Sequence, residues 1–293
     1  MFAAVRGTQI YFDVEGAGLV PDGPRMREKP AAMVVHGGPG SDHSGFKPAM
    51  SPLSETLQLV YFDHRGQGRS GLADRDADPD RFTLDENVAD MEALRRHLGL
   101  GPVVSIGTSY GGMVAMAHAA RYPDAVSRLV LIATAAHGGF IPRAEALVAA
   151  RGTPDQKRVC ATLWAGGFRD RAALQEYYEV MGPLYSRRHD AAAAASRSRA
   201  IQTPEPLNRA FGPDGFLRRF DLRPELARIT APTLVLAGRH DWICPVDFAE
   251  EIQRLIPGAT LQVFQDSSHS IRADQPEAML DAIRRFVLEP HQF

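Results

Sequence analysis

The sequence predicts an open, doubly wound α/β fold with a mostly parallel sheet and an inserted helical cap. Three observations carry this. Short apolar runs recur at 31–36, 57–63, 102–106, 126–134, 232–237 and 260–265. All but the weaker last run lack polar alternation, as strands covered on both faces do. Segments with helical periodicity lie between them, and strand–helix alternation over this length builds a layered α/β domain. The stretch 137–225 offers no strand-like run and is too long for one crossover connection.

The elements follow in order. Residues 9–15 (QIYFDVE) alternate Ile10, Phe12 and Val14, which predicts a half-exposed edge strand. Residues 86–98 set Val88, Met91, Leu94 and Leu98 on one helical face, with Thr83 and Glu86 spaced as a capping box. Residues 276–288 set Met279, Leu280, Ile283, Phe286 and Val287 on one face, with Pro276 in the first turn. Between 137 and 225, prolines at 154, 183, 204, 206, 213 and 224 divide an alanine- and arginine-rich stretch into several short helices, and the run Ala191–Ala195 reads as good helix. The expected division is a core of 1–136 and 226–293 and a cap of 137–225.

Composition narrows the function. The 293 residues carry a net charge of −2 with histidines neutral, so no field of one sign draws in nucleic acid or an anionic membrane. Two cysteines, Cys160 and Cys244, exclude a disulfide scaffold, suit a reducing compartment and sit in no metal-ligand spacing. No apolar run reaches the length of about 20 residues that a spanning helix needs. Arg6 interrupts the N-terminus before a signal-like stretch develops. The expectation is a cytoplasmic protein acting on a small molecule or short peptide, its oligomeric state open.

The sharpest motif is Gly107-Thr108-Ser109-Tyr110-Gly111-Gly112, between the run PVVSI and the helical run MVAMAHAA. In a strand–turn–helix context this pattern holds a serine on a strained turn above the carboxyl end of the sheet. A serine hydroxyl needs a base to become a nucleophile. In this architecture the acid and then the histidine follow the serine. Asp241 follows the strand PTLVLAG and His269 follows TLQVFQ, both at carboxyl ends, where such sheets build sites. Asp241 is therefore the expected orienting acid and His269 the general base. Among ten histidines the nearest rival, His240, precedes the acid. Asp266 reads as a loop-capping carboxylate. His36-Gly37-Gly38-Pro39-Gly40 follows the strand AAMVV, and the amides of Gly38 and Tyr110 are the expected oxyanion donors. In Phe62-Asp63-His64-Arg65-Gly66-Gln67-Gly68-Arg69-Ser70, Asp63 and Arg65 are expected to pair and buttress the 36–40 loop. Activity should fall as pH drops through the histidine range, near the reference of about 6.5.

HGGPG, FDHRGQGRS and GTSYGG, in this order and spacing, resemble the proline iminopeptidase family of α/β hydrolases. The resemblance implies an α/β-hydrolase fold, a serine hydrolase with the triad Ser109, Asp241 and His269, an oxyanion role for the HGGPG loop, and a helical cap. The family holds aminopeptidases that release N-terminal residues, often proline, and relatives that cleave esters, lactones or simple amides. Such aminopeptidases grip the substrate's amino group with carboxylates. Here Trp242 follows the catalytic-acid position, and the cap offers Asp214, Glu176 and Glu179. Trp242, Trp164, Phe168 and Tyr185, with Phe216, suggest an apolar pocket. Two substrate classes stay open: a peptide or aminoacyl amide, and a small apolar ester, amide or lactone without a free amino group. A ligand-sensing receptor that keeps the triad is a third class, marked by single turnover and a stable adduct. No metal or cofactor is required by this chemistry.

Overall fold

A computed structural model describes residues 1–73, 78–190 and 200–289. The Ala191–Ala195 run lies outside the described residues. Among them, eight strands form one sheet in the order β1 (Phe2–Val5), β2 (Thr8–Glu15), β6 (Gln58–Phe62), β5 (Ala31–Val35), β7 (Val103–Thr108), β8 (Val126–Ile132), β9 (Thr233–Gly238), β10 (Thr260–Phe264). From β6 to β10 every pairing is parallel, whereas β1–β2 and β2–β6 are antiparallel. A separate hairpin pairs β3 (Leu19–Asp22) with β4 (Arg25–Glu28).

The central strands are apolar throughout because both faces are covered. In β5, Met33 and Val35 join one apolar cluster while Ala32 and Val34 join the other. Leu129 and Leu131 against Val130 and Ile132 repeat this in β8, and Val235 and Ala237 against Leu234 and Leu236 in β9. Period-two side chains on a doubly covered sheet must divide so.

The helices flank these strands: α1 (Lys47–Met50), α2 (Gly68–Ala73), α3 (Leu84–His97), α4 (Tyr110–Arg121), then α5 (Phe140–Arg151), α6 (Pro154–Trp164), α7 (Arg171–Tyr185), α8 (Pro204–Phe211) and α9 (Phe216–Arg219) between β8 and β9. After β9 come α10 (Val246–Leu255), α11 (Ile271–Asp274) and α12 (Pro276–Leu288). The inserted helices do not bury a separate core. Phe140, Ile141, Val159, Leu163, Leu174 and Met181 belong to the same cluster as Met113 and Val114 of α4. None of the described helices is long and apolar enough to cross a membrane.

Two expectations need correction, and one element carried no signal in the sequence. Residues 9–15 are not the sheet edge, because Phe2–Val5 folds back outside them. Arg6 and Gly7 both take positive φ, 50° and 74°, which matches the twist of a tight hairpin. The β3–β4 hairpin went unread because its residues are largely exposed and carry no core periodicity. The capping box at α3 is half formed: Thr83 accepts from the Glu86 amide, but the Glu86 carboxylate pairs with Arg6 and Arg81 instead. A complete box stands at α6, between Thr153 and Gln156.

Candidate active site

Ser109 joins β7 to α4 with φ 54° and ψ −123°, a conformation costly for a residue with a side chain. Its surroundings hold it there. The Ser109 amide donates to the Ile132 carbonyl at 2.8 Å, and the Ser109 carbonyl accepts from Thr134 Oγ1 and the Gly112 amide, each at 2.8 Å. A Cβ on Gly111 would collide with the Val35 carbonyl oxygen, so the glycine after Tyr110 lets α4 start against β5. Ser109 remains half-buried. The Tyr110 amide opens α4, where an N–H has no carbonyl one turn back within the helix.

Across β8, the loops after β9 and β10 bring Asp241 and His269 together. The His269 ring nitrogen Nδ1 bonds Asp241 Oδ2 at 2.8 Å. The other oxygen, Oδ1, accepts from the amides of Ile243 and Cys244, each at 2.9 Å. Three N–H groups converging on one buried carboxylate complement its charge and leave it little freedom to turn. The rivals stand apart: His240 and Asp266 are exposed, and it is the Asp266 amide that is capped, by Gln275 Oε1 at 3.2 Å.

The carboxylate that caps this loop is Asp274, which sequence reasoning missed. It is fully buried; Oδ2 accepts from the Ser268 amide at 2.8 Å, and Oδ1 from Ser186 Oγ at 2.6 Å and the Arg188 amide at 3.0 Å. Ser268 Oγ is in reach of the Leu184 and His240 carbonyls, and the Ser270 amide donates to the Tyr185 carbonyl at 2.8 Å. Both neighbours of His269 are thus tied to the end of α7. The recoverable signal was only an aspartate five residues beyond the histidine.

The 36–40 loop is held from the core. The His64 amide donates to His36 Nε2 at 3.2 Å, so His36 carries its proton on Nδ1, which bonds the Gly37 carbonyl at 2.8 Å. Burial pushes the His36 pKa down, and burial followed by the neighbouring His36 pushes His64 well below its usual range; both imidazoles are neutral. Gln67 Oε1 accepts from the Gly40 amide at 2.7 Å. Gly38 takes φ 124°, which a side chain resists, and a Cβ on Gly37 would press to 3.1 Å from Ser109 Cβ. The expected Asp63–Arg65 pair does not form. Arg65 grips Asp90 through Nε at 2.8 Å and Nη2 at 2.6 Å, while Asp63 accepts from His43 Nδ1 at 2.6 Å and the amides of His43 and Arg69 at 2.9 Å. Bidentate geometry favours the arginine–carboxylate match across helix α3.

The six residues expected to line a substrate pocket divide. Tyr185 sets its ring edge-on to both His269, at 5.5 Å, and Trp242, at 5.4 Å. Trp242 is buried, and its indole N–H has no hydrogen-bond partner among the described residues. Phe168 packs on Tyr177, whose hydroxyl meets that of Tyr185 at 3.0 Å, and Trp164 packs on Phe211. Burial pushes both tyrosine pKa values well up, so these rings are neutral. Glu179 and Asp214 are exposed; Glu179 accepts from Gln175 at 2.9 Å, and Asp214 edges a cleft with Asp80 and Phe216 that none of Ser109, Asp241 or His269 lines. Glu176 is exposed too and pairs with Arg158 at 2.7 Å.

Residues 30–276 match the model of the alpha/beta hydrolase fold family, and the chain belongs to that family. It is similar to the proline iminopeptidase PfmaB of Pestalotiopsis fici, 28% identical with 97% of each chain covered. It is also similar to a proline iminopeptidase of Saccharolobus solfataricus, 26% identical, covering 87% of this chain and 84% of the relative. Among solved structures, the crystal structure of VinJ superposes with a TM-score of 0.78 at 26% identity, covering 98% of this chain and 97% of the other.

Proposed function

We propose that this chain is a serine hydrolase of the proline iminopeptidase type that cleaves a small amide, peptide or ester bond through an acyl-enzyme. The observation that carries the reading is the Asp241–His269 pair, at 2.8 Å, on the same sheet rim as the strained Ser109 turn. In this reading His269 accepts the Ser109 proton as the hydroxyl attacks the carbonyl. The amides of Gly38 and Tyr110 hold the oxyanion, each donor lowering the barrier by about 3 kcal/mol. His269 then protonates the leaving group and activates the water that frees the enzyme. Residues 137–225 serve as the cap over a core of 1–136 and 226–293. The substrate is small, and the working compartment is the cytoplasm.

A second reading, an esterase, amidase or lactonase for small apolar acyl groups, is favoured by one feature. Trp242 follows Asp241, and the cap carboxylates Glu176, Glu179 and Asp214 are exposed. Proline naphthylamide and p-nitrophenyl butyrate separate the two. Steady turnover of the naphthylamide supports the iminopeptidase reading, and turnover of the butyrate alone supports the second. A single turnover that leaves a stable adduct would replace both with a ligand sensor.

A further inference from the structure

Arg272 lies three residues beyond His269 in α11, and its guanidinium stacks over Phe46, 4.4 Å from the ring centroid. The tip of that ring, Cζ, is 3.7 Å from the point where a Cβ on Gly37 would stand, and Ser109 Cβ is 3.1 Å from the same point. Arg272, Phe46 and the proposed nucleophile thus lie around the same glycine of the 36–40 loop.

The charge has no direct counterion. Among the described residues no carboxylate lies within ion-pair distance of Arg272. Asp274, two positions on, spends its oxygens on Ser186, the Arg188 amide and the Ser268 amide. Burial outweighs its attraction and pushes the Arg272 pKa down to about 10. Arg272 is half-buried, and among the described residues its guanidinium makes no hydrogen bond. A guanidinium stacked by its face keeps its N–H edge free, and that edge matches a carboxylate with two parallel hydrogen bonds.

We propose that Arg272 is a specificity-determining residue that binds a carboxylate on the leaving side of the scissile bond. This rests on the reading of His269 as the group that protonates the leaving atom, because the departing fragment must then lie over the loop that continues into Arg272. The substrate class is a short one whose leaving group bears a free carboxylate: a dipeptide that releases an amino acid, or an ester of a hydroxy acid.

Two matched pairs test it: prolylglycine with prolylglycinamide, and 4-(butyryloxy)benzoate with its methyl ester. In wild type the free acid of the pair that is cleaved should exceed its capped partner in kcat/KM. Arg272→Gln should collapse that ratio by about tenfold or more, as loss of a charge-assisted hydrogen bond does, and Arg272→Lys should keep part of it. An unchanged ratio in Arg272→Gln overturns the proposal. Calorimetry of both pairs on Ser109→Ala reads binding without turnover. A preference for the acids that vanishes in Ser109→Ala/Arg272→Gln upholds the anion site even if wild type cleaves neither pair, which would sink the hydrolase reading alone. Cleavage without any such preference sinks the anion site alone.

Discussion

The two loops on either side of Ser109 are immobilised from opposite directions. The 36–40 loop rests on the core: neutral His36 and His64 interlock beneath it, and Gln67 holds the Gly40 amide. The His269 loop hangs from the inserted helices: Leu184, Tyr185, Ser186 and Arg188 reach it through Ser268, Ser270 and Asp274. The difference teaches that one loop is braced chiefly from the core, whereas the other adds bonds to the end of α7 to those between the β9 and β10 loops. The inserted helices also touch the first loop, through the Thr203 amide on the Gly40 carbonyl at 2.8 Å, but there they add to a loop already braced from below.

The largest effect removes what the two halves share. Ser109→Ala should lower kcat by about 10⁴-fold or more while the protein stays folded; a variant that kept a tenth of the rate would dissolve the comparison, because neither loop would be serving that hydroxyl. Next comes the half tied to α7. Asp274→Ala strands three donors in a buried site and should cost about 3 kcal/mol by urea unfolding. It should also lower kcat more than it raises KM, since His269 loses its registration. If activity survived intact, α7 would not be positioning the histidine.

The core-held half answers to pH. His36 and His64 have depressed pKa values in the fold, for which burial is the first cause. Above the unfolded value of about 6.5 both states are neutral and nothing is lost. Below it the unfolded chain takes up protons more readily than the fold, so stability falls with pH toward the folded pKa, by up to about 1.4 kcal/mol per pH unit for each histidine. Urea midpoints between pH 7.5 and 5.5 read this slope, and His64→Gln should flatten it. The smallest effect is Gln67→Ala, which frees the Gly40 amide and should cost about 1 kcal/mol with a several-fold fall in kcat. An equal loss from Gln67→Ala and Asp274→Ala would erase the contrast between the loops.

Much of this was legible because it is local. The strand runs at 31–36, 102–106, 126–134 and 232–237 read correctly since burial on both faces leaves a mark on every residue. Pro276 announced α12, and the glycines around Ser109 announced a turn no bulkier residue could make. The hairpin at Arg6 and Gly7 was hidden by its shortness, and β3–β4 by its exposure. The Asp63–Arg65 expectation failed for another reason: adjacency in a motif says nothing about which distant carboxylate completes a bidentate pair, and Asp90 does so from α3.

Residue order and spacing alone singled out Ser109, Asp241 and His269, because a parallel sheet delivers the carboxyl ends of its strands to one rim whatever lies between. What no local pattern could supply was the long-range pairing. That Asp274 reaches Ser186, that Arg272 lies on Phe46, and that Glu179 faces outward while Tyr185 faces His269 depend on how α7 and α11 dock. Docking is decided by the sum of many weak, non-directional apolar contacts, and only the folded chain adds them up.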